Sequence, residues 1–221
     1  MLVACWSPKG GCGTTVVTAA LGVLLAGASP SGALVADLCG DVPTVLGAAD
    51  DDAPGLAQWL CAGPDVGADA LARLERPMAP GLALLPWRGP HDEPPVPARA
   101  DALAEALAAD PRPVVADCGV VTGGPPSPAA TLAAGAGLSL LVLRPCYLAL
   151  RRAIAAPFRP SGVVLVNEPG RVLGRSDVED LLGVPVRAEI DVDPAVARAV
   201  DAGLLAGRLP KILERALRAA A

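Results

Sequence analysis

Near the start of the chain the nine residues Ser7 to Thr15, SPKGGCGTT, set three glycines, one lysine and two threonine hydroxyls within a single turn. Glycines so spaced let successive backbone N–H groups point into one concavity, and the hydroxyls and the ammonium add donors beside them. The apolar stretch LVAC precedes this turn and the alanine-rich stretch VVTAALGVLLA follows it. That context places the turn at a helix N-terminus, where the helix dipole favours an anion. The implied chemistry is phosphate binding by Gly10, Gly11, Cys12, Gly13, Thr14 and Thr15, with Lys9 as the local cation. A phosphate loop commonly carries a lysine beside its last glycine; here Thr14 stands there, and a neutral hydroxyl donates one hydrogen bond without supplying a charge.

Two carboxylates extend the chemistry. Asp117 ends the apolar run VVAD, and Asp37 ends ALVAD. A buried carboxylate without a partner is costly, so each must meet a metal or hydrogen-bond donors, and Asp37 has the further option of capping the turn after it. Asp41 sits at an offset that does not simply replace a carboxylate at position 39. His91, the single histidine, lies in a proline-rich loop and reads as solvent-facing. No G-x-S-x-G elbow is present, which counts against a serine hydrolase.

The elements that must position these residues follow from periodicity. Short apolar runs alternate with alanine-rich stretches at helical spacing, the pattern of repeated strand–helix units. Strands are expected near 2–5, 33–37, 82–85, 114–117, 138–143, 163–167 and 186–188. Helices are expected over about 13–26, 56–62, 98–108, 148–155, 177–182, 195–202 and 209–219. The fold class is therefore α/β: a doubly wound, mostly parallel sheet of about seven strands with helices on both faces. The 221 residues fit one domain, 1–221. The proline-rich stretches Trp87 to Pro97, Pro64 to Asp69 and Thr122 to Pro128 read as loops. The last follows a strand directly, on the edge where open α/β sheets bind ligands, and is suited to a lid or switch.

Composition narrows the class. Net charge is −5, which gives no general attraction to a polyanion. The longest apolar runs fall short of the roughly 20 residues that span a bilayer, and the opening has no basic n-region, so a cytoplasmic location is expected. Six cysteines without a C-x-x-C pair read as reduced, small apolar fillers. Five of them, Cys5, Cys12, Cys39, Cys118 and Cys146, fall at or just beyond strand ends on the edge where a ligand would sit; a redox or metal cluster is the weaker reading, because they lack metal-ligand spacing. Lysine occurs only as Lys9 and Lys211, so its presence in the glycine loop stands out. The C-terminal RLPKILERALRAAA places Leu209, Ile212, Leu213 and Leu217 on one helical face with basic residues around it. Packing against its own domain is favoured over a weak peripheral membrane contact, because that face is short and lacks aromatics.

KGGCGTT closely resembles KGGxGK[ST], the deviant Walker A loop of the MinD/ParA family of P-loop ATPases. GALVADLCGD (32–41) resembles that family's second strand and acidic A′ motif, and GLALLPWRG (81–89) its "gLxvLPAG" strand. RPVVADCG (112–119) resembles the Walker B strand, and VVLVNEPG (163–170) the "vvlN" strand beside the adenine. PVRAEIDVDPAVARAVDAG (185–203) follows "pvlgxIPxDpxvxxAxxxG". These segments occur in family order over nearly the whole chain.

The resemblance implies ATP and Mg²⁺ as ligands and an ATP-dependent homodimer. It implies that Lys9 reaches phosphates held by the opposite subunit and that Thr15 binds the metal directly. Asp117 would hold the metal through water, Asp37 would serve as the first A′ aspartate, and Asn167 would read the adenine edge. Thr14 replaces the second lysine and Cys39 replaces the A′ carboxylate that positions attacking water; both losses weaken hydrolysis more than binding. The threonine-containing loop resembles the CpaE/TadZ branch, whose members serve pilus assembly and secretion. That branch often carries an N-terminal receiver-like domain, whereas this chain opens at the ATPase strand. A scaffold that binds no nucleotide and a DNA-partitioning ATPase are the rival readings; the acidic balance argues against the second.

Overall fold

The computed structural model describes residues 1–49, 53–63, 66–88, 97–218 and 220. His91 and most of the loop from Trp87 to Pro97 lie outside the described residues. The first half runs β1 (Leu2–Ser7), α1 (Thr14–Ala28), β2 (Ala33–Asp37), α2 (Val42–Leu46), α3 (Leu56–Cys61), a 3-10 turn over Ala68–Leu74, β3 (Arg76–Ala79) and β4 (Leu82–Leu85). The second half runs α4 (Pro97–Ala109), β5 (Val114–Val120), α5 (Pro128–Gly135), β6 (Leu138–Leu143), α6 (Tyr147–Ile154), β7 (Gly162–Asn167), α7 (Arg175–Leu182), β8 (Val186–Asp191), α8 (Pro194–Asp201) and α9 (Lys211–Leu217).

The strands form one sheet of eight in the order β3-β4-β2-β5-β1-β6-β7-β8. All neighbours are parallel except the edge pair β3 and β4. The seven expected strands are all present. The eighth, β3, carries Pro77 and a register irregularity between Pro77 and Ala79. Proline is tolerated at an edge, where one side of the strand needs no ladder donor, and a four-residue run containing proline does not announce itself as a strand. The short α2 and α5 also fall outside the expected set. The α5 N-terminus carries ordinary start signals: the Ser127 hydroxyl accepts from the Ala130 N–H at 3.2 Å and Pro128 follows at once.

Alternation along the buried strands separates two apolar layers. Leu2, Ala4 and Trp6 face one side, with Leu34, Ala36, Val114, Ala116 and Cys118, and pack under α3 to α7. Val3 and Cys5 face the other, with Val35 and Val115, and pack under α1, α2, α8 and α9. Trp6 is fully buried; its indole N–H donates to Ser139 Oγ at 3.0 Å, and its ring tilts against Phe158. Arg99 lies over the Trp59 ring and donates to the Trp59 and Val66 carbonyls, which fastens α4 to the segment after α3. In α9, Leu213 and Leu217 are buried in the second layer, so the C-terminal apolar stripe packs on its own sheet.

The small residues of α1 let it lie close to the sheet. At Gly22 a Cβ would overlap Val35 Cγ2 on β2. A helix-interior Gly→Ala change ordinarily gains about 1 kcal/mol, whereas overpacking a core costs about 1–3 kcal/mol. Gly22→Ala should therefore lower the thermal midpoint by roughly 2–6 °C, and Gly22→Ala/Val35→Ala should recover part of the loss. A single variant that melts higher than the parent would mean that the helix does not approach the strand so closely.

Candidate functional site

The ends of three neighbouring strands build the site. β1 leads into the glycine loop, and the Ser7 hydroxyl lies 3.0 Å from the Lys9 carbonyl and 3.2 Å from that of Gly119, tying the loop to β5. Gly13 caps α1 with φ 91° and no side-chain cap, so its conformation is one that other residues adopt only with strain. A Cβ at Gly10, Gly11 or Gly13 would meet no atom within 4 Å. The loop thus borders open space, a cavity of about 490 Å³ whose opposite wall includes Cys39, Asp41 and Gly119. Helix-terminal amides facing such a concavity suit an anion.

Beside the loop lie the two aspartates. Asp37 and Asp117 are directly opposite each other in the β2–β5 register, and both are 0% exposed. They share the face on which α1 packs, because each is two residues beyond a residue of that layer, Val35 or Val115. Asp37 Oδ1 accepts from the N–H groups of Cys39 and Gly40, each at 2.9 Å. Asp117 Oδ1 accepts from the Gly119 N–H at 3.1 Å. The second oxygen of each carboxyl is buried without a hydrogen-bond partner. Burial lifts the Asp37 carboxyl to about 7, against the pull of the Cys39 and Gly40 N–H groups and with help from the Asp117 charge. Asp117 is raised chiefly by burial; the Thr15 hydroxyl and the Gly119 N–H oppose the shift. Buried polar atoms are nearly always satisfied, so two adjacent orphans mark a place where a cation fits.

A bulge arranges the third group. Between Cys5 and Ser7 the β1–β5 register slips by one residue, and Gly119 takes φ 56° in the bulged strand. A Cβ at Gly119 would collide with Cys39 Sγ. The Cys39 thiol donates to the Asp117 carbonyl at 3.4 Å, and a carboxylate oxygen from each aspartate and this sulfur all lie within 4.8 Å of one another. Burial pushes the Cys39 thiol up, and the charges of Asp117 and Asp37 add to it. Cys5, pushed up to about 12 by burial, packs as the inert filler expected.

Thr14 is buried and Thr15 half-buried, and both line the cavity. Lys9 is half-buried, with Nζ 3.4 Å from the carbonyl of Gly10 in a solvent-exposed hydrogen bond. Asn167 lies apart from the loop at the end of β7, where its amide donates to Glu189 and Asp191 at 3.3 Å each. A second cavity of about 270 Å³ begins at Gly13 and Val16 and continues past Arg144, Val166 and Asp191. Three lining residues gain a place that the sequence does not give them. The offset of Asp41 argues against a role, yet it faces the loop because a glycine turn, Gly40 at φ 94°, brings it round. Cys39, in sequence the place of a missing carboxylate and one of five strand-end cysteines, lines the same cavity. Arg144 offers no motif; it pairs with Glu168 at 2.9 Å. The Thr122 to Pro128 loop contributes nothing to the wall of the loop cavity; Gly119 and Val120 supply that part. A larger cavity, about 740 Å³ between α8 and α9, shares no lining residue with the loop cavity.

No protein-family model matches the chain, and no curated protein matches it by sequence. Solved structures do match in fold. The ParA family ATPase of Chlorobium tepidum superposes with a TM-score of 0.75 at 18% identity, covering 96% of this chain and 94% of that one. The septum site-determining protein MinD of Pyrococcus horikoshii, solved with Mg-ADP, gives 0.73 at 21% identity, with 92% and 86% covered. A variant of Cyanothece McdA, solved as its ATP complex, gives 0.68 at 17% identity, with 99% and 95% covered. The architecture is that of MinD/ParA P-loop NTPases.

The raised Asp37 carboxyl has a consequence for stability. Its folded value near 7 lies above the ordinary 3.8, so folding favours the protonated form; that contribution is complete below about pH 4 and is lost as pH rises through 7. Without divalent cations, the parent should lose on the order of 2–3 kcal/mol between about pH 5 and pH 8 relative to Asp37→Asn. Chemical denaturation of both proteins across that range checks this; parallel curves would contradict it.

Proposed function

We propose that this chain is a MinD/ParA-like ATP-binding protein that acts as a nucleotide-dependent dimerisation or localisation switch, with weak or no hydrolysis. The observation that carries this reading is the open glycine cradle standing directly beside two buried carboxylates with orphan oxygens. In it, the amides of Gly10 to Thr15 bind the phosphates and Lys9 contributes its charge. The Lys9 ammonium, bonded to the Gly10 carbonyl at the solvent-exposed surface, suits a reach across to a second subunit, as the family resemblance implies. Thr15 and Asp117 are the groups that would hold Mg²⁺, which when bound would neutralise phosphate charge. Asp37, anchored through Oδ1, keeps its other oxygen buried and unpartnered. Asn167, its amide oriented by Glu189 and Asp191, is the candidate for reading the base; it does not itself line the cavity that runs from Gly13 past Asp191, but its partner Asp191 does.

The same geometry supports slow turnover. Thr14 brings no cation to the phosphates, and Cys39 brings a thiol where a carboxylate would orient water; charge and positioning are the main sources of rate in phosphoryl transfer. The threonine loop supports a CpaE/TadZ-like use, with a protein partner in pilus assembly, secretion or division at the cytoplasmic side. One domain over 1–221 suffices for all of it.

ATP held only by the folded state must stabilise it. At a hundred times the Kd the gain is about 2.7 kcal/mol, on the order of 5–10 °C in thermal midpoint for a chain of this size. ATP–Mg²⁺ should produce such a shift in the parent and none in Gly13→Val. Lys9→Ala should still bind ATP by calorimetry while losing ATP-dependent dimerisation by light scattering. A parent that neither shifts nor titrates would favour the scaffold reading.

A further inference from the structure

We propose that Asp37, Cys39 and Asp117 form a binding site for a thiophilic divalent cation of the zinc or cobalt kind, assembled in the protein alone and independent of nucleotide. The donor set is mixed: two carboxylate oxygens and one sulfur within 4.8 Å of one another. Each carboxylate already spends Oδ1 on backbone N–H groups, of Cys39, Gly40 and Gly119. Those bonds fix the carboxylates' orientation, as outer-shell bonds do for metal ligands. The free oxygens, Asp37 Oδ2 and Asp117 Oδ2, are buried and unpartnered on residues that are themselves fully buried.

The sulfur is placed by the backbone. Cys39 follows Asp37 by two residues, and its thiol occupies the space that a side chain at position 119 would take. Gly119 is held there by the β5 bulge at a φ that favours glycine. Of the other nearby thiols, Cys118 packs in the apolar layer on the opposite face of the sheet, while Cys5 shares the aspartates' face, level with Asp117 in register, but is fully buried under α1 and is not one of the three donors grouped within 4.8 Å. Among the described residues, Cys39 is the thiol that joins the aspartates while also lining the loop cavity. Three protein ligands, of which Cys39 alone borders the loop cavity, leave a fourth position unfilled, unlike the closed four-ligand structural sites. Carboxylates alone suit magnesium or calcium; a thiolate among them shifts preference toward zinc, cobalt and cadmium.

The test is a Co²⁺ titration of the reduced, nucleotide-free protein, read by absorption. A thiolate-to-cobalt charge-transfer band should appear with one equivalent, persist in Cys61→Ser and vanish in Cys39→Ser. Zn²⁺ should erase it stoichiometrically, and a large excess of Mg²⁺ should not. Asp37→Asn and Asp117→Asn, each verified as folded by circular dichroism, should weaken Co²⁺ binding at least about tenfold. No band, a band that survives Cys39→Ser, or ready displacement by Mg²⁺ would overturn the proposal. If Cys39→Ser does not fold, alkylation of the native chain answers the same question: Zn²⁺ should slow modification at Cys39 and leave Cys61 unchanged, and equal rates at both would count against the site. Because no nucleotide is present, this outcome and the outcome for ATP binding are independent.

Discussion

Two carboxylates placed side by side across adjacent parallel strands, sealed from water and each with one oxygen unanswered, set the terms for this molecule. Like charges so close in a poorly solvated place repel, and the fold offsets only part of the cost with backbone N–H donors from Cys39, Gly40 and Gly119, aided by the Trp87 N–H and the Thr15 hydroxyl. The remainder must be met by a proton or by a bound cation. Everything at this edge of the sheet bears on that choice: a glycine loop that leaves its amides facing open space, a bulge that turns Gly119 away, and a thiol let into the gap.

The sheet makes the arrangement possible at small structural expense. The mutually parallel strands of the eight-stranded sheet deliver their C-terminal ends to one edge, and the central position of β1 between β5 and β6 puts the loop beside Asp117 and the strands that follow. Helix α1 starts from the loop and is pressed onto β2 at Gly22, so the cradle inherits the rigidity of the core. Similar architecture in proteins less than 25% identical to this chain shows how little of the sequence this framework requires.

The proposed switch rests on two side chains that depart from the loop and strand motifs this sequence resembles. A threonine beside the last loop glycine and a cysteine after β2 leave the cradle's backbone intact while changing its charge and its ligand hardness. Backbone amides hold an anion through geometry, so they survive such substitutions; catalysis of phosphoryl transfer leans on placed charge and does not. The pairing of retained cradle with altered donors is the physical basis for reading a switch here rather than a fast hydrolase.

Much of this is legible in the linear chain, because apolar runs of period two and alanine-rich runs of helical period report directly on burial, and a glycine turn between them reports on an anion site. Lys9, the loop glycines, Asp37 and Asp117 all stand out by such local signals, and all seven expected strands are present. Strand β3 and helix α5 are hidden by proline, whose local meaning depends on whether a neighbour needs its missing N–H. Asp41 is hidden for another reason: sequence offset says nothing about where a left-handed glycine sends the chain, and Cys39, visible in the sequence among five strand-end thiols, is set apart from the other four only by the fold. The sequence determined the layers, the loop and the candidate charges; only the tertiary structure decided that Asp37, Cys39 and Asp117 converge, since that depends on interstrand register, a bulge at Gly119 and the side of the sheet each residue faces.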